Sequence, residues 1–368
     1  MKPLKHFYWL DWMRFIAAFM VVVCHARGYH WVDFGSLPKS EQTFPIKVFF
    51  ALTRAGLEWV VVFFVLSGFL VGGGVIRRTL DRSFDFSSFA IDRVSRIWVP
   101  LIPALILTLV VALICGYPVS FAELIGNVFA LQGIFFQNFA HNMPLWSLSY
   151  EVWFYIIIGA VGILLQPGIK SKTAAFFMLA VGAVVFTKLS FSYLSCWLLG
   201  AFCLFLVSDK FKPAVLISGV TLAVLGSVIS QLRSETISFT AASLVAFIPS
   251  REIAVLIESA GIGLLTAAIC KVEPKGTLLV YMEKFGTKLA AFSYTLYLTH
   301  YPILDLWIYF SPTRNPSITA FSFLIFVSKV FSCLLAAWLL YLPFEAKTVS
   351  VRAWMRNFGS RRQLMADV

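Results

Sequence analysis

Four groups of polar residues interrupt an otherwise apolar chain, and each has a spacing that could do chemistry. Arg14 and His25 are eleven positions apart. On a helix that is about 1100° of rotation, roughly 20° past three full turns, with about 16 Å of rise, so the two share a face. Histidine moves protons near neutral pH, which makes His25 a candidate general base or nucleophile. The same spacing also fits a snorkelling anchor at Arg14 and an interfacial residue at His25. Arg93 and Arg96 are three apart and can present two guanidinium forks to one phosphate-bearing ligand, or serve as a charge anchor. Ser147, Glu151 and Tyr155 follow at four-residue intervals, one polar stripe on an apolar helix. Glu151 there could orient a histidine, hold an arginine, bind an acceptor hydroxyl, or act as a structural clamp. Tyr297 and His300 are three apart, just before Pro302, which can kink a helix; a satisfied core histidine fits them as well. We count His25, Arg14 and Glu151 as catalytic candidates. Arg93 and Arg96 are candidates for binding a donor, and Ser147, Tyr155, Tyr297 and His300 for binding a substrate. Glu258, Asp305 and Lys329 are further charges in apolar surroundings whose partners the sequence does not give.

The elements that carry these residues follow from composition. Of 368 residues 60% are hydrophobic and 13% charged, against about 25% charged in a soluble domain. So few charges cannot cover a soluble surface. Apolar blocks long enough to cross a bilayer, without two-residue alternation, exclude a transmembrane β-barrel and leave an all-α polytopic membrane protein. The net charge of +12 points to the anionic inner leaflet and anionic ligands there, not to nucleic acid. Cys24, Cys115, Cys196, Cys203, Cys270 and Cys333 lie in apolar runs without metal spacing and read as core residues. No metal is expected. The first apolar run shows no cleavage site typical of a signal peptide.

Ten spans are expected, near 10–28, 57–76, 97–116, 146–165, 173–188, 191–208, 213–230, 253–271, 290–309 and 318–345. Residues 121–137 are apolar too and are expected to form a re-entrant or interfacial piece. With both termini in the cytoplasm, 21 of the 30 lysines and arginines fall inside and 8 outside, Lys329 lying within a span. Residues 117–145 carry none. That asymmetry is the orienting signal of the positive-inside rule. The expected organisation is one transmembrane domain over 1–345 and a basic cytoplasmic tail over 346–368. Residues 28–56 are expected to help roof an outward-facing cavity.

The motifs together resemble the membrane acyltransferase type 3 family, bacterial and eukaryotic integral membrane enzymes that acylate glycans and some small molecules. The carriers are LDWMRFIAAFMVVVCH with Arg14 and His25, FFVLSGFL at 63–70, the pair Arg93 and Arg96, PLWSLSYEVWFY at 144–155 and FSYTLYLTHYP at 292–302. The resemblance covers nearly the whole chain. It implies a ten-helix core in a bacterial cytoplasmic membrane, a cytoplasmic acyl-CoA donor, usually acetyl-CoA, and a saccharide hydroxyl as acceptor. It also implies a catalytic His25, an Arg14 of the same essential motif, and donor-side arginines at Arg93 and Arg96. Where many members have a second acidic residue, this chain has Tyr150-Glu151-Val152, which puts a two-carboxylate role in doubt. The rival classes are a secondary transporter of a small anionic or sugar substrate and a non-enzymatic scaffold. Transporters usually show repeats and broken helices in matching halves, and the sequence shows neither.

Overall fold

The computed structural model describes residues 7–166, 172–208, 210–234, 250–273 and 276–366. Lys2, Lys5, Lys170 and Lys275 of the charge count lie outside them, as do the side chains of Arg233, Arg361 and Arg362. Among the described residues no strand forms, only two isolated bridges. The helices are α1 (Tyr8–His30), α2 (Phe44–Thr53), α3 (Gly56–Leu80), α4 (Phe86–Cys115), α5 (Phe121–Val128), α6 (Trp146–Leu165) and α7 (Lys172–Val185). They continue with α8 (Phe191–Cys203), α9 (Pro213–Ser234), α10 (Arg251–Ile269), α11 (Thr277–Ala291), α12 (Ser293–Phe310), α13 (Ala320–Tyr341) and α14 (Thr348–Ala366).

All ten expected spans fall on helices. Seven of the described helices are long and apolar enough to cross a membrane. The other three expected spans are α7 and α8, which are short, and α12. Tyrosines, threonines, His300 and Asp305 lower the hydropathy of α12, although most of it is buried. At 121–137 the chain forms α5, eight residues long. That is about 12 Å of helix, too short to cross a bilayer.

The contacts divide the chain into two units. The first holds residues 1–24, 49–77 and 190–290. Its core gathers Leu10, Ala17, Val61, Val65, Phe69, Cys196, Val255 and Ile262. The FFVLSGFL motif is here a packing device. Helix α3 takes a π-turn at Gly68–Gly72. A Cβ on Gly68 would sit 1.9 Å from the carbonyl oxygen of Trp197, and one on Gly200 2.2 Å from that of Val65. Only glycine lets the backbones of α3 and α8 meet so closely. The Trp197 indole then donates to Ser67 Oγ at 3.1 Å. Buried Ser230 donates to Glu58 at 2.8 Å in the same unit. Arg14 belongs to this unit; its guanidinium lies 3.8 Å from Asp11, which accepts a hydrogen bond from Thr287 at 2.9 Å.

The second unit holds residues 25–48, 78–189 and 291–368. Helix α12 packs against both α4 and α13, and α14 packs against α4. Asp85 caps α4 by accepting from the Ser88 N–H at 2.8 Å, and its bonds to Ser88 hold its carboxyl below the usual range. The loop after α1 is tied down: Val32 N donates to the Asn315 carbonyl at 3.1 Å and Ile318 N to Glu41 at 2.7 Å. Residues 346–366 are not a bare tail. Arg352 and Arg356 of α14 reach Asp92 of α4 at 3.2 and 2.8 Å.

Candidate active site

The site is organised by α12. Its N-terminus has no capping side chain of its own, and Glu345 supplies one from fifty residues away. One carboxylate oxygen of Glu345 accepts from the backbone N–H of Thr295 at 3.1 Å and from its hydroxyl at 2.6 Å. The other accepts from Arg96 at 2.6 Å. A carboxylate is favoured there by the positive end of the helix dipole. Further along, Pro302 has no N–H to give the Leu298 carbonyl. The fully buried Asn142 replaces it: its amide donates to Leu298 O at 3.0 Å and to Thr108 Oγ1 at 3.0 Å. Helix α12 therefore continues through its proline to Phe310.

Between these two supports lies His300, fully buried. Its Nδ1 faces two backbone carbonyls, of Tyr297 at 2.8 Å and of Leu296 at 3.2 Å. Carbonyls only accept, so Nδ1 carries the proton and Nε2 is bare in the neutral ring. That Nε2 lies 2.9 Å from Nδ1 of His25. His25 must therefore donate from Nδ1, which leaves its own Nε2 with a free lone pair. The two rings are within 13° of parallel, and the ring of Tyr301 stands edge-on to His25 at 5.3 Å. His25 is half-buried, so a partner can reach it.

The arginines belong to the other end of α12. Arg96 lies over the Tyr294 ring at 5.2 Å and Arg93 over the Tyr155 ring at 5.4 Å. Arg96 is already paired with Glu345. Arg93 makes no ion pair among the described residues, and its Nε is buried without a hydrogen bond. Such an unsatisfied guanidinium nitrogen fits an anionic ligand. Tyr294 and His300 are separated by about 9 Å of helix rise.

The remaining candidates divide between these ends. Glu151 accepts from Tyr155 at 2.5 Å, and its charge acts on Arg96 and Tyr294. It is placed with the arginines. Ser147 and Tyr297 hydrogen-bond each other at 2.7 Å and both reach the Pro144 carbonyl. Those bonds tie α6 to α12 directly below His300. Arg14 belongs to the first unit and shares helix α1 with His25. Sequence reasoning missed Glu345 and Asn142. The only sign of either was Pro302, which demands a donor from elsewhere.

The profile of the type 3 acyltransferase domain matches residues 7–342. No curated protein and no solved structure gives a match. A match over nine-tenths of a chain built of membrane-spanning helices, with the motif histidines paired and the motif arginines together, leaves one conclusion: the chain belongs to the type 3 acyltransferase family and is a membrane acyltransferase.

Proposed function

We propose that this protein is an O-acyltransferase that takes the acyl group of cytoplasmic acyl-CoA, most often acetyl-CoA, to a hydroxyl of an extracytoplasmic or lipid-linked saccharide. The observation that carries the reading is the proton order of the histidine pair. Two carbonyls fix His300, His300 fixes His25, and His25 Nε2 is left as a base. Nε2 takes the proton of the acceptor hydroxyl as its oxygen attacks the thioester carbonyl. The carbon–sulfur bond breaks, and the imidazolium returns the proton to the leaving thiolate. His300 touches no reacting atom in this scheme; it positions His25.

Arg93, with Arg96 beside it, holds the donor phosphates, and Glu151 with Tyr155 orders the arginines. Ser147 and Tyr297 hold α12 in place. The part of Arg14 rests on its shared helix and on the family motif. The acyl group alone crosses the membrane, in a bacterial cytoplasmic membrane with the arginines on the inner side. The lysine and arginine asymmetry supports that sidedness.

The test is acyl transfer from radiolabelled acetyl-CoA by the purified chain in lipid nanodiscs. His25→Ala is expected to abolish it. His300→Ala is expected to lower kcat at least about a hundredfold with donor affinity unchanged. Near-normal transfer by a well-folded His25→Ala protein would remove the histidine from the mechanism. Consumption of no acyl-CoA by the wild type would end the reading and return the transporter to first place.

A further inference from the structure

We propose that the C-terminal ends of α1 and α12, together with a stacked pair from two loops, form the subsite that seats a neutral sugar ring of the acceptor. Tyr29, Tyr117, His141, Tyr301 and Asp305 would line it, with the Asp305 carboxylate taking hydrogen bonds from the sugar's hydroxyls. This rests on the acyl-transfer reading above.

The two helices carry matching steps beyond the histidine pair. His25 and Tyr29 are four apart on α1, and Tyr301 and Asp305 are four apart on α12. Each step is about 6 Å of rise on one face. The hydroxyls of Tyr29 and Tyr301 are hydrogen-bonded to each other, with their rings 5.4 Å apart. The ladder therefore runs from the bare Nε2 of His25 outward through two tyrosines to a carboxylate.

Asp305 has no explanation within the fold. It is 4% exposed, yet its carboxylate makes no hydrogen bond or ion pair among the described residues. Cys115 touches only its backbone oxygen, at 4.0 Å. Lys329, the buried lysine of α13, lies over the Trp307 ring. The Asp305 charge acts on the hydroxyls of Tyr29, Tyr117 and Tyr301. A carboxyl group in an apolar span with no protein partner marks a functional position.

Beside it the Tyr117 ring lies against the His141 imidazole at 4.6 Å and 14°. Tyr117 is half-buried and His141 exposed. The segment that delivers His141 is strained: Ala140 and His141 hold φ of 42° and 64°, unusual for residues with a side chain. A pyranose has an apolar C–H face that suits aromatic rings and a rim of hydroxyls that suits a carboxylate acceptor. In its ionised form the carboxylate selects against acidic sugars and phosphates.

The experiment is saturation-transfer NMR on the full chain in nanodiscs, with methyl glucoside, galactoside, mannoside and rhamnoside as probes and methyl glucuronide as the acidic counterpart. Saturation should reach ring protons of at least one neutral probe and not the glucuronide. Asp305→Asn should weaken that binding roughly tenfold or more, the loss expected for a hydrogen bond to a charged group, and Tyr117→Ala about fivefold or more through loss of the aromatic face. Should Asp305→Asn misfold, Tyr117→Ala decides. No transfer to any neutral probe, equal binding by the variants, or equal binding of the glucuronide would overturn the subsite. Loss of all acyl-CoA consumption in the wild type would instead strike the reaction and leave the sugar binding standing.

Discussion

Arg93 and Arg96 stand three residues apart in one motif, yet they meet different surroundings. Arg96 is spent on Glu345, whose side chain is 2% exposed, while Arg93 has an unsatisfied Nε. The two should fail differently. Arg93→Ala is expected to weaken coenzyme A binding about tenfold or more with at most about 1 kcal/mol lost in stability, since besides the external charge-assisted contact only the stacking on Tyr155 goes. Arg96→Ala leaves a buried carboxylate without its cation, and the chain should lose on the order of 3 kcal/mol. Thermal unfolding and coenzyme A titration of the purified variants would separate the two, and identical behaviour would contradict the asymmetry. The sequence showed both arginines but not the difference between them, because Glu345 lies 249 residues away. His25 and His300 are a similar case: each stands out as a histidine in an apolar run, while their contact spans 275 residues. Residue types and local spacing are readable along a chain; which distant partner satisfies a buried group depends on packing.

At the scale of the element, α12 is the helix the chemistry depends on and the one that hydropathy describes least well. Its polar residues were legible from the alternation of tyrosine, threonine and histidine at 292–302. Pro302, which can kink a helix, lies inside one that runs on to Phe310, with an outside donor on the Leu298 carbonyl. Asn142→Leu should therefore cost about 1–3 kcal/mol by stranding the Leu298 carbonyl, and should lower activity by disturbing His300 one turn away. The pairing with proline gives a sharper check. Pro302→Ala restores an N–H at that position, so the double variant Pro302→Ala, Asn142→Leu should be more stable than the sum of its singles by about 1 kcal/mol. Strict additivity would mean that Asn142 does not stand in for the missing donor. The stripe Ser147, Glu151 and Tyr155 was equally visible as a period, but it serves two ends of α12 and not one pocket. Ser147 bonds Tyr297 and Glu151 bonds Tyr155. A helical period shows which residues share a face, not what that face meets at each turn.

For the whole molecule, the helical class and the positions of ten helices follow from apolar runs, since a chain with 13% charged residues has little else to build with. Length was harder to read: α7 closes at Val185, just before Thr187 and Lys188, while α8 closes at Cys203 although residues 204–207 are still apolar. Sidedness is the property on which the proposed reaction depends, because Arg93 must meet a cytoplasmic coenzyme A pool while Asp305 must meet a saccharide. The prediction is that residues 117–145 face the exterior and 77–96 the cytoplasm. Gln137 and Asp81 are both exposed and suit single cysteines, in a background lacking the six native ones. On intact cells a membrane-impermeant thiol reagent should label Gln137→Cys at once and Asp81→Cys only after permeabilisation. The topology also constrains the charge count: 21 against 8 is large enough that moving two or three lysines across would not invert it. The reverse labelling pattern would place the unsatisfied arginine outside, away from any acyl-CoA. A donor entering at Arg93 and an acceptor entering at Asp305 could then not meet at His25 from their own compartments, and the transfer scheme would fail with the topology.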